Sequence, residues 1–80
     1  MDKKIAKHVA SVSFEASKNL GSLISFLKRH CSQEDYEKFR DPIATISASI
    51  GLDILNVVFS DFPDLEKEFD DDIKKYGKIL

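Results

Sequence analysis

The stretch GLDILNVVFSDFP, from Gly51 to Pro63, decides how this chain can fold. Between Leu52 and Phe59 only Asp53 and Asn56 are polar. If the stretch is helical, apolar side chains project from two opposed flanks, and a helix that is apolar on all sides is normally buried. The chain has 80 residues, and one neighbouring helix cannot cover both flanks.

The spacing of apolar residues around this stretch predicts a helix over about residues 33–60. Its first flank carries apolar residues three and four positions apart: Tyr36, Phe39, Ile43, Ile46, Ile50, Ile54 and Val57. Its second flank carries Ala48, Leu52, Leu55 and Phe59. We expect a kink near Pro42, because proline removes a backbone donor and presses on the preceding turn. Ser32 is a suitable N-cap for this helix.

A long helix is predicted over about residues 3–30. Its apolar stripe consists of Ile5, Val9, Val12, Ala16, Leu20, Leu23, Leu27 and Cys31. This spacing repeats every eleven residues, close to the natural helical period, so the helix can stay nearly straight. Beside the stripe runs a row of small residues: Ala6, Ala10, Ser13, Ser17 and Gly21. We expect the stripe to face the first flank of the second helix, and the short connection to make the two helices an antiparallel hairpin.

A short third helix is predicted over about residues 63–76, with Pro63 in its first turn and Gly77 as its stop. Its inner positions are Leu65, Phe69, Ile73 and Tyr76. The sequence therefore predicts an all-α fold in one domain, residues 1–80. Its architecture is a long antiparallel helical hairpin plus a short C-terminal helix, dimerising into a helical bundle. Whether the last residues, Ile79 and Leu80, dock on the fold stays open.

Two covers are open for the second flank: the third helix, or a second copy of the chain. The expected interaction surface consists of Phe14, Leu52, Leu55, Phe59 and Phe62. These features favour a non-enzymatic protein–protein interaction module that forms a homodimer and binds another protein, as an accessory, adaptor or antitoxin-like protein. Asp53 and Asn56 either line a small pocket or mark a polar edge that fixes the pairing register.

The alternative function is a nucleic-acid-associated regulator that uses the basic first helix. The first 31 residues hold six basic and two acidic side chains, and Lys3, Lys4 and Lys7 cluster at one end. Phosphate contacts require a dense basic face, and here the lysines are sparse. The net charge of −2 argues for no particular partner.

The sequence contains no pattern that indicates catalysis or a cofactor. Cys31 continues the apolar stripe and is expected to be a small buried hydrophobe, while His30 ends the first helix. Asp70, Asp71 and Asp72 are consecutive, so on a helix they diverge and cannot converge on one metal ion. The single cysteine fits a reducing, cytoplasmic location. No uninterrupted apolar run approaches the roughly 20 residues of a bilayer span, so we expect no membrane association.

Overall fold

The computed structural model describes residues 1–77 and builds them into three helices, with no strand among those residues. Helix α1 spans Lys3–His30 and helix α2 spans Gln33–Asp61. Helix α3 spans Pro63–Tyr76. The prediction of an all-α fold built from three helices is confirmed. The docking of Ile79 and Leu80 lies outside the described residues.

The helix ends are formed by the local signals that the sequence carries. The side chain of Asp2 accepts a hydrogen bond from the backbone N–H of Ile5 at 2.9 Å. The hydroxyl of Ser32 accepts one from the backbone N–H of Asp35 at 3.2 Å. Each cap satisfies a donor that has no partner within its helix. Helix α3 stops at Gly77, whose φ of 69° is a left-handed conformation that glycine adopts without steric cost.

The contact between α1 and α2 is made by the row of small residues. Ala6, Ala10 and Ser13 are the buried residues of α1. Further along, the hydroxyl of Ser17 donates to the carbonyl of Ser47 at 2.8 Å, and the hydroxyl of Ser47 donates to the carbonyl of Ser17 at 2.8 Å. Because these side chains are small, the two helices approach closely enough for each serine hydroxyl to reach the backbone carbonyl of the other serine.

The expectation that the apolar stripe of α1 faces the first flank of α2 is wrong. In the structure Ile5 and Val12 of α1 are 52% and 54% exposed, and Ile46 and Val57 of α2 are 55% and 62% exposed. The physical reason is the serine pairing and the tight approach along the small residues. On a helix, adjacent residues point about 100° apart, so burying Ser13 turns Val12 away from α2.

Helix α3 covers part of the second flank of α2. Leu65 is fully buried and Phe69 is 3% exposed, and both join the core with Val58. Leu55 and Phe59 pack against that core, and the ring of Phe59 meets the ring of Phe69 edge to face at 5.4 Å between centroids. The third helix therefore covers Leu55 and Phe59 of this flank, as one of the two alternatives predicted, and leaves Ala48 and Leu52 exposed.

Helix α2 departs from regular α-helix eight residues after its proline. The α-helical segment Gln33–Ser49 continues through Pro42, and a π-helical turn follows at Ile50–Leu55. A π-turn accommodates an extra residue, which rotates the part of the helix beyond it. The rotation changes the direction of the side chains in Asn56–Asp61, the last segment of α2. The sequence-based projection of α2 assumed a constant 100° per residue and missed this.

The basic start of α1 forms ion pairs with the acidic helix α3. The Nζ of Lys3 lies 2.6 Å from Oδ2 of Asp64 and 3.4 Å from Oε2 of Glu68, and the Nζ of Lys7 lies 4.0 Å from Oδ2 of Asp72. The hydrogen bond from Lys3 lowers the pKa of Asp64, and the same bond raises the pKa of Lys3. The stabilisation is therefore lost as pH falls through the depressed carboxyl pKa, and again as pH rises through the raised ammonium pKa.

Candidate interaction surface

One side of the α1–α2 pair carries apolar side chains that α3 does not cover. We call this side the open face and define it by six side chains that are each at least 40% exposed: Ile5, Val12, Leu23, Ile46, Ile54 and Val57. The first three lie on the stripe of α1 and the other three on the first flank of α2. Scattered exposed hydrophobics are normal in proteins, but a contiguous face of them marks an interaction surface.

Part of the α1 stripe and part of the first flank of α2 lie on the same side of the molecule, because they line one groove. Val9 of α1 lines it together with Ile54 and Val57 of α2, and Met1 closes one end. The groove has a volume of about 300 Å³ and a mainly apolar lining. These parts of the α1 stripe and of the first flank of α2 therefore lie side by side on one surface.

The rim of the groove is acidic. Asp53 and Asp61 are the two charged side chains in its lining, and both are exposed. Asn56 is exposed but does not line the groove. The interpretation that these residues line a small pocket therefore fits Asp53 and does not fit Asn56.

The surface predicted from the sequence is mostly occupied within the chain. Phe14, Leu55, Phe59 and Phe62 are partly buried and pack against the core that includes Leu65 and Phe69. The fifth member, Leu52, is 62% exposed. Four of the five residues thus form the seat of α3. The open face was missed because the same residues had been assigned to the contact between α1 and α2.

The basic cluster at the start of α1 is engaged by α3. Lys3 and Lys7 pair with carboxylates of α3, and a phosphate backbone would have to compete with those pairs. Neither the open face nor the groove lining includes a lysine or an arginine. The charge distribution therefore gives no support to nucleic-acid binding through the open face.

The side chains considered for chemistry are dispersed. Among residues 1–77, no group of three or more His, Cys, Asp or Glu side chains is placed to hold a metal ion. Cys31 is exposed, which corrects the expectation that it is a small buried hydrophobe. It lies in the two-residue connection between α1 and α2, beyond the helical stripe whose spacing had placed it inside. The ring of His30 stacks on Phe26 at 4.6 Å between centroids.

Helix α2 is long and apolar enough to cross a membrane, judged by length and composition alone. The absence of a long uninterrupted apolar run therefore does not exclude a membrane span for this helix. Only 6% of its apolar window is buried in the single chain, so burial within the fold does not account for its composition. The same helix carries Ile46, Ile54 and Val57 of the open face. A partner that covers the exposed apolar side chains of this helix therefore also covers the open face.

Comparisons with protein-family models, with curated proteins and with solved structures found no match for this chain.

Proposed function

We propose that this protein is a non-enzymatic helical interaction module that self-associates. In this proposal α1 and α2 form a long antiparallel hairpin, and two copies of the chain join into a helical bundle through their open faces. Capture of a further protein partner is part of the proposed role. The proposal locates self-association on the open face, because the surface first predicted from the sequence seats α3.

The accessible area of the single chain carries this proposal. It is 5676 Å² for a mass of 9.1 kDa, whereas the area expected for a compact monomer of that mass is about 4,900 Å². The difference is about 800 Å², so the single chain exposes more surface than a compact monomer of its mass. The shape agrees with this excess, since the molecule measures 45 × 24 × 15 Å and one broad side can accommodate an interface.

The small core gives a second reason. The buried apolar residues of the described chain are Ala6, Ala10, Val58, Leu65 and Phe69, of which two are alanines. A domain of this size is marginally stable alone, and oligomerisation is one common way of completing its core. A second copy on the open face would bury the exposed residues of both chains.

Charge favours a second copy of the chain over a lipid surface. Helices that lie on membranes carry lysine and arginine beside their apolar face, where they meet anionic headgroups. Here the charged side chains at the groove are Asp53 and Asp61, and both would be repelled by such headgroups. Self-association through an apolar face requires no basic rim.

Thermal unfolding tests the proposed self-association. If folding is coupled to assembly, Tm rises with protein concentration, because mass action stabilises the associated state. We expect a rise of several degrees in Tm, followed by far-UV circular dichroism, between low and high micromolar concentration. A Tm that does not change over this range would contradict coupled folding and assembly.

A further inference from the structure

We propose that two copies pair face to face in opposite orientations, about a two-fold axis that passes beside Ala16 at the level of Ala48. This inference rests on the proposed self-association and adds its geometry. The occupant of the open face is a second copy of this chain, whose hairpin tip lies at the end of the first copy that carries Met1 and the groove.

The stripe of α1 is symmetric about Ala16. Its members from Ile5 to Leu27 follow steps of 4, 3, 4, 4, 3 and 4, and this order is unchanged when read backwards. In an antiparallel pairing centred on Ala16, Val12 lies opposite Leu20 of the second copy, and Val9 opposite Leu23. Ala16 is exposed and is the smallest member of the stripe, so two helices can approach most closely there.

The first flank of α2 follows steps of 3, 4, 4 and 3 along the sequence, through Ile43, Ile46, Ile50, Ile54 and Val57. The π-turn Ile50–Leu55 rotates the part of the helix beyond it, so these steps do not fix a centre on α2. The reciprocal hydrogen bonds between Ser17 and Ser47 set the level of α2 against α1, and place Ala48 at the level of Ala16. One axis at this level therefore serves both helices, with α1 on α1 and α2 on α2.

In this arrangement side chains of the second copy enter the groove. The pairing about Ala16 brings Leu23 of the second copy to Val9, and the same axis brings Phe39 of the second copy to the level of Val57, which also lines the groove. Both Leu23 and Phe39 are exposed in the single chain, at 42% and 52%. The pairing thus fills a preformed apolar groove with two exposed apolar side chains from the far end of the molecule.

Electrostatics favours this orientation over the one in which both hairpin tips lie at the same end. In the same-end pairing the two acidic rims, each made of Asp53 and Asp61, occupy one end of the assembly and repel each other. Opposite orientation separates the two Asp61 side chains by about 39 Å along the helices. At that distance the repulsion between them is screened at physiological salt.

Disulfide trapping tests the orientation. The variant Ala16→Cys in a Cys31→Ser background is oxidised with diamide, and its matched control is Lys18→Cys in the same background. Both positions are exposed and nearly level, but they point about 200° apart on α1. We expect a covalent dimer from Ala16→Cys and none from Lys18→Cys, because a disulfide requires two Cα atoms within about 7 Å.

The wild-type chain, with Cys31 as its cysteine, is a negative control for disulfide trapping. In the proposed pairing the two Cys31 residues lie about 45 Å apart, so diamide leaves the wild type uncrosslinked. Trapping through Cys31 and not through Ala16→Cys would overturn the proposed orientation and leave self-association intact. Before oxidation, native molar mass is measured, and flotation with neutral phosphatidylcholine vesicles is tested. A monomer that floats with the vesicles would overturn both proposals and identify lipid as the occupant.

Discussion

Replacing Val12 and Ile46 together with glutamate should convert the assembled protein into a monomer that keeps its α-helix content. Both side chains are more than half exposed in the single chain, so the substitutions disturb no internal packing. Across a two-fold interface they would bury four carboxylates without partners, each at a cost of several kcal/mol. Molar mass from light scattering and helix content from far-UV circular dichroism, at the same concentration, give the two readouts.

The matched control for this pair is Leu52→Glu. Leu52 is 62% exposed and belongs to the surface first predicted from the sequence, and it lies within the π-turn on the flank of α2 opposite the one that carries Ile50 and Ile54. We expect Leu52→Glu to leave the molar mass unchanged. If Leu52→Glu dissociated the assembly and the double variant did not, self-association would have to be moved to the side that carries α3.

The substitution Phe69→Ala should cost about 3–5 kcal/mol of unfolding free energy, which is the range for removing a buried aromatic side chain. Phe69 is 3% exposed and packs edge to face on Phe59, so alanine leaves a cavity between α3 and α2. This is a large fraction of the 5–15 kcal/mol that is typical of a whole domain. Urea denaturation at fixed protein concentration, followed by circular dichroism at 222 nm, measures the loss.

Tyr76→Ala is the control on the same helix. Tyr76 is 49% exposed, so we expect a cost below about 1 kcal/mol. If Phe69→Ala were as mild as Tyr76→Ala, α3 would not be docked on α2, and the flank that includes Leu55 and Phe59 would have no cover within the chain.

The helices themselves could be predicted because their signals are local. The three-and-four spacing of apolar residues, the capping side chain of Ser32 and the left-handed conformation of Gly77 each act within one or two turns. The docking of α3 could also be predicted from the sequence, since Leu65 and Phe69 belong to the single row of apolar residues on a short, mostly charged helix.

The pairing of α1 with α2 could not be predicted from the apolar stripes, because stripe periodicity does not say which neighbour a stripe faces. Either the apolar stripe of α1 or the adjacent row of small residues could face α2. In the structure the row with Ser17 does, because its small side chains allow close approach and paired hydrogen bonds to Ser47. The π-turn Ile50–Leu55 adds a rotation for which the sequence gives no marker beyond Gly51. As a result, the open face had to be found in the structure.

The molar mass of the wild-type protein in solution tests the central claim most directly, which is that a second copy covers the open face. It is measured by light scattering after size exclusion, over a range of micromolar concentrations and without detergent or lipid. The account predicts twice the 9.1 kDa of one chain at the higher concentrations. A stable, well-folded monomer of 9.1 kDa throughout that range would contradict it.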